Sequence, residues 1–142
     1  MKKIISIFIL MAAVTFVAQM CDQQAKIAGA HIVPPFVSDG QTYRAFVTAG
    51  QTAEFHATMF AGTTYRIAGA TGDGDGNLIY SVYSVDPNTG DRALIFTNSQ
   101  HNNAPYWDFK VTTTVEVAIE ASLNPASNKE SGCAVLLIGF KQ

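Results

Sequence analysis

The chain has 142 residues and a mass of 15.2 kDa, with 48% apolar and only 14% charged residues and a formal net charge of −2. That size suits one ordinary domain, and the composition is too apolar and too weakly charged for intrinsic disorder. No basic run is present, which excludes the electrostatic footprint of a nucleic-acid binder, and two cysteines are too few for a disulfide-dense scaffold or a four-cysteine zinc site.

Lys2 and Lys3 precede an apolar run from Ile4 to Ala18, broken only by Ser6 and Thr15. A short positive region followed by such a run has the form of a secretory signal peptide over 1–18, and the run is short for a bilayer span of about twenty residues. Cleavage after Ala18 places the large Phe16 at the −3 position, and cleavage after Gln19 places Gln at −1. A lipoprotein-type cut before Cys21 would put Met20 where a small residue is preferred. Free secretion or a periplasmic location is therefore favoured over a lipid anchor, with no membrane span in the mature chain.

Export carries Cys21 and Cys133 into an oxidising compartment. A bridge between them would staple the two ends of the domain; the other reading is two separate thiols, with Cys133 a small buried hydrophobe. Neither has a neighbouring His or cation in sequence to make it a nucleophile.

Residues 19–40 show no clear periodicity and contain Pro34, Pro35 and the Ser38-Asp39-Gly40 turn signal, so they read as an extended lead-in. Residues 41–142 read as strands. Gln41–Thr48 alternates with Tyr43, Ala45 and Val47 on one face, and Thr52–Met59 with Ala53, Phe55, Ala57 and Met59. Thr63–Ala70 follows the Ala61-Gly62 turn, and the Gly69–Gly76 stretch is a glycine-aspartate loop. Leu78–Val85 and Ala93–Thr97 flank a strong turn, Asp86-Pro87-Asn88-Thr89-Gly90-Asp91. After the polar loop Asn98–Pro105 come Trp107–Val111 and Thr114–Glu120. The last strand, Cys133–Lys141, is nearly unbroken apolar, the mark of a central strand covered on both faces. Seven to eight strands at roughly ten-residue spacing, with no helical period, predict an all-β, antiparallel β-sandwich of jelly-roll type.

The order of Ala61-Gly62-Thr63-Thr64-Tyr65-Arg66-Ile67, the acidic loop Asp73–Asn77, the strand Leu78–Val85, the segments Phe109-Lys110-Val111 and Val115–Ala121, and a final glycine-containing apolar strand resembles the bacterial pre-peptidase C-terminal domain. The resemblance covers Thr52 to Lys141. It departs at Gly132-Cys133-Ala134-Val135-Leu136, where that family often has a Gly-x-Tyr-x-Leu strand, and here the domain would be expected to stand alone rather than trail an enzyme. It implies a secreted β-sandwich that is non-catalytic and serves binding, secretion or stability.

Three constellations bear on chemistry. Asp73-Gly74-Asp75-Gly76-Asn77 alternates oxygen side chains with glycines, as a calcium loop does, although a complete helix–loop–helix pattern is missing and further ligands such as Asp108 would be needed. The competing reading is a solvated hairpin loop. Tyr106 and Trp107 beside Asn102 and Asn103 have the composition of a sugar platform, against which stands the alternation that puts Trp107 and Phe109 on one, core-facing side. His31, His56 and His101 lack metal-ligand spacing, and no Gly-x-Ser-x-Gly elbow or Ser–His–Asp set is evident. The expectation is a non-enzymatic module that binds a carbohydrate, peptide or protein surface, with structural calcium as an open question. The rival is a structural subunit that donates its lead-in as a strand to a neighbour.

Overall fold

The structure is a computed structural model that describes residues 21–142; the signal-peptide reading of residues 1–18 lies outside the described residues. Eight strands follow in chain order: β1 (Val37–Thr48), β2 (Thr52–Met59), β3 (Thr63–Ala70), β4 (Leu78–Val85), β5 (Arg92–Thr97), β6 (Tyr106–Val111), β7 (Val115–Leu123) and β8 (Ser131–Lys141). They form two four-stranded sheets, ordered β1-β8-β3-β6 and β2-β7-β4-β5, and every pairing is antiparallel. This is the jelly-roll arrangement expected from the strand spacing. The chain changes sheet at each connection except β4 to β5. There the strong turn closes a hairpin, with the Asp86 carboxylate accepting from the Asn88 and Thr89 amides at 2.8 and 3.2 Å.

The core lies between the sheets. Tyr65, Ile67, Leu136 and Ile138 meet Leu78, Tyr80, Val82, Val117 and Ile119, all buried. Gly69 sits against side chains of both sheets: a Cβ there would lie 2.8 Å from Leu136 and 2.9 Å from Leu78, so no larger residue fits without displacement.

The lead-in differs from the expected extended segment. Residues 21–29 are helical, and β1 already begins at Val37. Its inward face carries Cys21, Gln24 and Ala28, a spacing of three and four residues that suits one helix face. Because those residues are small or polar, no apolar stripe advertises the helix. Ala28 packs on Ala68 and Ala70, the outward residues of β3, with Ile27, Ile32 and Leu137 alongside. Gly139 on β8 leaves room for Ile32, whose Cγ2 would stand 2.9 Å from an added Cβ. The unbroken apolar β8 is thus a central strand covered on both faces, and the lead-in is its outer cover. The Cys21–Cys133 disulfide, with Cα atoms 5.4 Å apart, fixes one end of the cover to β8. Asp22 binds Arg44 of β1 at 2.7 Å, and the Gln24 amide donates to the Gly72 carbonyl. Within this chain the segment is thus packed on its own sheet, with the residues from Val37 onward paired in β1.

Candidate functional site

The acidic loop serves as an anchor for the lead-in. The His31 ring Nε2 lies 3.0 and 3.1 Å from the two Asp75 carboxylate oxygens. The Asn77 side-chain amide donates to the Gly74 carbonyl at 3.3 Å, and Asn124 ties the loop down by donating to the Gly76 carbonyl at 2.9 Å. Asp73 is exposed. Asp108, the anticipated extra ligand, is held by Arg66, whose Nε and Nη2 donate to its two oxygens at 2.7 and 3.0 Å. Among the described residues no three His, Cys, Asp or Glu side chains converge on a point where a metal ion would sit.

Tyr106 and Trp107 do not form one platform. Adjacent residues of β6 point to opposite faces of the sheet. Tyr106 lies outside, with the Arg66 guanidinium 4.3 Å from its ring centre and the His31 ring 5.1 Å away. Trp107 turns inward, stacks on Phe96 at 4.7 Å and meets His101 at 4.4 Å. Asn102 and Asn103 adopt left-handed backbone, φ 54° and 53°, and form the reversal of the polar loop. Asparagine tolerates that region better than most residues, which accounts for the pair here.

Two organising residues were not marked by the sequence reading. Asn98 is fully buried; its Oδ1 accepts from the Tyr80 amide at 2.9 Å and its Nδ2 donates to the Leu78 carbonyl at 2.9 Å and the Ala104 carbonyl at 3.2 Å. Arg66 stacks between Phe36, at 4.2 Å, and Tyr106, while its Nη1 donates to the His31 carbonyl at 3.0 Å. The bidentate bond to Asp108 raises the Arg66 pKa further. Both were read as ordinary strand or loop residues because their partners are distant in sequence.

A broad concavity lies elsewhere, along the side where the edge strands β1 and β2 face each other. It encloses about 680 Å³. Asp39 and Tyr43 of β1, His56 and Met59 of β2, Tyr65 of β3 and Phe140 of β8 line it, with Phe60 at the rim and 59% exposed. A β-bulge between Ser38 and Thr42, with Gly40 at φ 83°, interrupts the β1 ladder beside Asp39. One Asp39 oxygen accepts from the Gln41 amide at 2.9 Å and the other from the Tyr43 hydroxyl at 3.5 Å. Burial, reinforced by the Asp39 charge, pushes the Tyr43 phenol above its ordinary value. The Tyr65 hydroxyl accepts from the Phe60 amide at 2.9 Å and sets that aromatic rim. The sequence signal for this groove is modest: a large inward ring, Tyr43, on a strand that turns out to be an edge.

His56 and Glu54, two residues apart on one face of β2, meet at 2.7 Å. Arg92 binds the same carboxylate through two bonds of 2.8 and 2.9 Å, and the Glu54 carboxyl is pushed down to about 2, mainly by that pairing.

No family model matches the chain, and no curated protein matches it. A designed double-stranded β-helix has a TM-score of 0.33 and 15% identity over 71% of this chain and 99% of its own. The crystal structure of Aeromonas hydrophila PliG, a periplasmic lysozyme inhibitor of g-type lysozyme, has a TM-score of 0.53 and 16% identity over 71% of this chain and 85% of its own. The likeness to PliG is one of fold: an all-β architecture shared at low identity.

Proposed function

We propose that the chain is an extracytoplasmic, non-enzymatic module that binds the surface of another protein. The observation that carries this reading is the groove beside β1 and β2, whose lining divides about evenly between apolar or aromatic residues such as Met59, Ile138 and Phe140 and polar ones such as Asp39, Gln41 and Thr63, with Phe60 exposed. Protein interfaces concentrate their energy in such a pocket, filled by an anchor side chain and ringed by polar residues. The disulfide supports an oxidising compartment, and a Cys21 sulfur bonded to Cys133 is not free to carry a lipid. The resemblance to pre-peptidase C-terminal domains points to the same non-catalytic class.

The fold neighbour described as an inhibitor of g-type lysozyme supplies a first partner to try. The experiment is a calorimetric titration of the disulfide-bonded protein into g-type lysozyme, with lysis of cell-wall suspensions followed in parallel. Saturable one-to-one binding with loss of lysis supports the reading; neither heat nor inhibition removes this partner and, with it, the inhibitor form of the proposal.

A further inference from the structure

We propose that the groove receives a lysine or arginine side chain presented by the protein partner, with Asp39 as its counter-charge. This deepens the protein-binding reading and rests on it. Among the described residues, Asp22, Glu54, Asp75, Asp108 and Glu120 each face a cationic or histidine side chain, and Arg44, Arg66 and Arg92 are taken up in those pairs. Asp73, Asp86, Asp91, Glu116 and Glu130 also face no cation but are exposed, whereas Asp39 is only partly exposed and lines this concavity without a cationic partner. Its oxygens are oriented by the Gln41 amide and the Tyr43 hydroxyl, which leaves lone pairs for further donors. The bulge that interrupts the β1 ladder at this point is a device that re-aims side chains at strand edges.

The walls match the same occupant. Tyr43, Tyr65, Phe60 and Phe140 line the same concavity as the carboxylate, and the Tyr43 hydroxyl reaches it. A long alkyl stem packs along such rings, and its cationic head gains from both ring electrons and a charged acceptor. Apart from the tyrosine phenols, the other ionisable side chain lining the groove is His56, already matched by Glu54 at 2.7 Å, so the unmatched side-chain charge in the groove is the negative one of Asp39. The formal net charge of −2 favours a basic partner at longer range as well. A volume near 680 Å³ exceeds one side chain, so the cation would arrive on a loop whose neighbouring residues cover Phe60.

The test uses the disulfide-bonded protein and two small probes, N-acetyl-arginine methylamide and its uncharged citrulline counterpart, followed by amide chemical shifts. The arginine probe should shift Asp39, Tyr43, Phe60 and Phe140, with the citrulline probe and the Asp39→Asn variant each weaker by about tenfold, the loss of one charge-assisted bond. Equal shifts from both probes, shifts confined to the Glu54 and Glu120 face, or full binding in Asp39→Asn would overturn it. Retained spectral dispersion shows that Asp39→Asn is folded, and Tyr43→Phe, which keeps the ring and the carboxylate, should retain most of the binding. Lysozyme titrations separate the two readings. Binding that survives Asp39→Asn unchanged sinks the groove proposal and leaves the protein-binding module standing. Arginine-specific shifts without any lysozyme complex keep the groove and remove that partner.

Discussion

The two sheets treat their outer faces in opposite ways. On the β1-β8-β3-β6 sheet the central strands show Cys133, Val135, Ala68, Ala70 and Gly139 outward, and the lead-in covers them. On the β2-β7-β4-β5 sheet the outward residues include Thr52, Glu54, His56, Thr58 and Glu116, which face solvent. Arg92 reaches from β5 across β4 and β7 to bind Glu54 of β2, and approaches Glu120 of β7 at 3.6 Å. The difference shows how a thin cover is held. The helix brings little apolar surface of its own, so a covalent bond at one end and a cation lock at the other supplement packing. The bare face needs no such fastening, because its ion pairs sit in solvent that screens them.

The largest effect should come from the covalent end. Replacing Cys21 and Cys133 together by serine opens a closure spanning 112 residues. The chain-entropy account gives about 4–5 kcal/mol for a loop of that size, an upper figure for the loss expected in urea unfolding. Hydrogen exchange should accelerate on the outward side of β8 and β3 before the other sheet responds. An unchanged midpoint would mean that packing alone holds the cover.

The cation lock should come next. Arg66→Met removes the bidentate bond to Asp108, two ring contacts and the donor to the His31 carbonyl. A loss of about 2–3 kcal/mol is expected, since the guanidinium is mostly buried and its partners are left unpaired. Arg66→Lys should recover little of it, because an ammonium cannot reproduce the forked geometry. Recovery by lysine would reduce the lock to simple charge.

The smallest effect belongs to the bare face. Glu54→Gln should change stability by no more than about 0.5 kcal/mol at pH 7, as surface substitutions generally do. Its signature is in the pH dependence. The Glu54 carboxyl lies at about 2 in the folded protein against an ordinary 4.5, so its contribution is present above about pH 4.5 and fades as pH falls toward 2. Melts of wild type and Glu54→Gln should therefore converge as the solution is acidified from pH 5 to 2. A gap that persists at pH 2 would assign the effect to packing instead.

Strand existence was legible wherever alternation was clean, as in Thr52–Met59, and wherever a turn had strong chemistry, as at Asp86–Asp91. The helix over 21–29 was not legible, because its buried residues, Gln24 and Ala28, carry no hydrophobic period. The site residues divide by the same logic. Alternation correctly set Trp107 against the core, and the two cysteines pair as the compartment argument suggested. The acidic loop has the composition of a cation loop, yet its Asp75 faces His31, a residue 44 positions away. Arg66 and Asn98 acquire their importance from partners up to 42 residues distant.

What the sequence by itself determined is what depends on near neighbours: the strand periods, the turns, the all-β class and the demand that the final strand be covered on both faces. Those follow from backbone geometry and local side-chain chemistry, which act over a few residues. Only the tertiary structure decided which segment provides the cover, where each edge strand falls and how Asp39, Tyr43 and Phe140 come to share one groove. Those depend on sheet order, and sheet order is set by packing among strands that lie far apart along the chain.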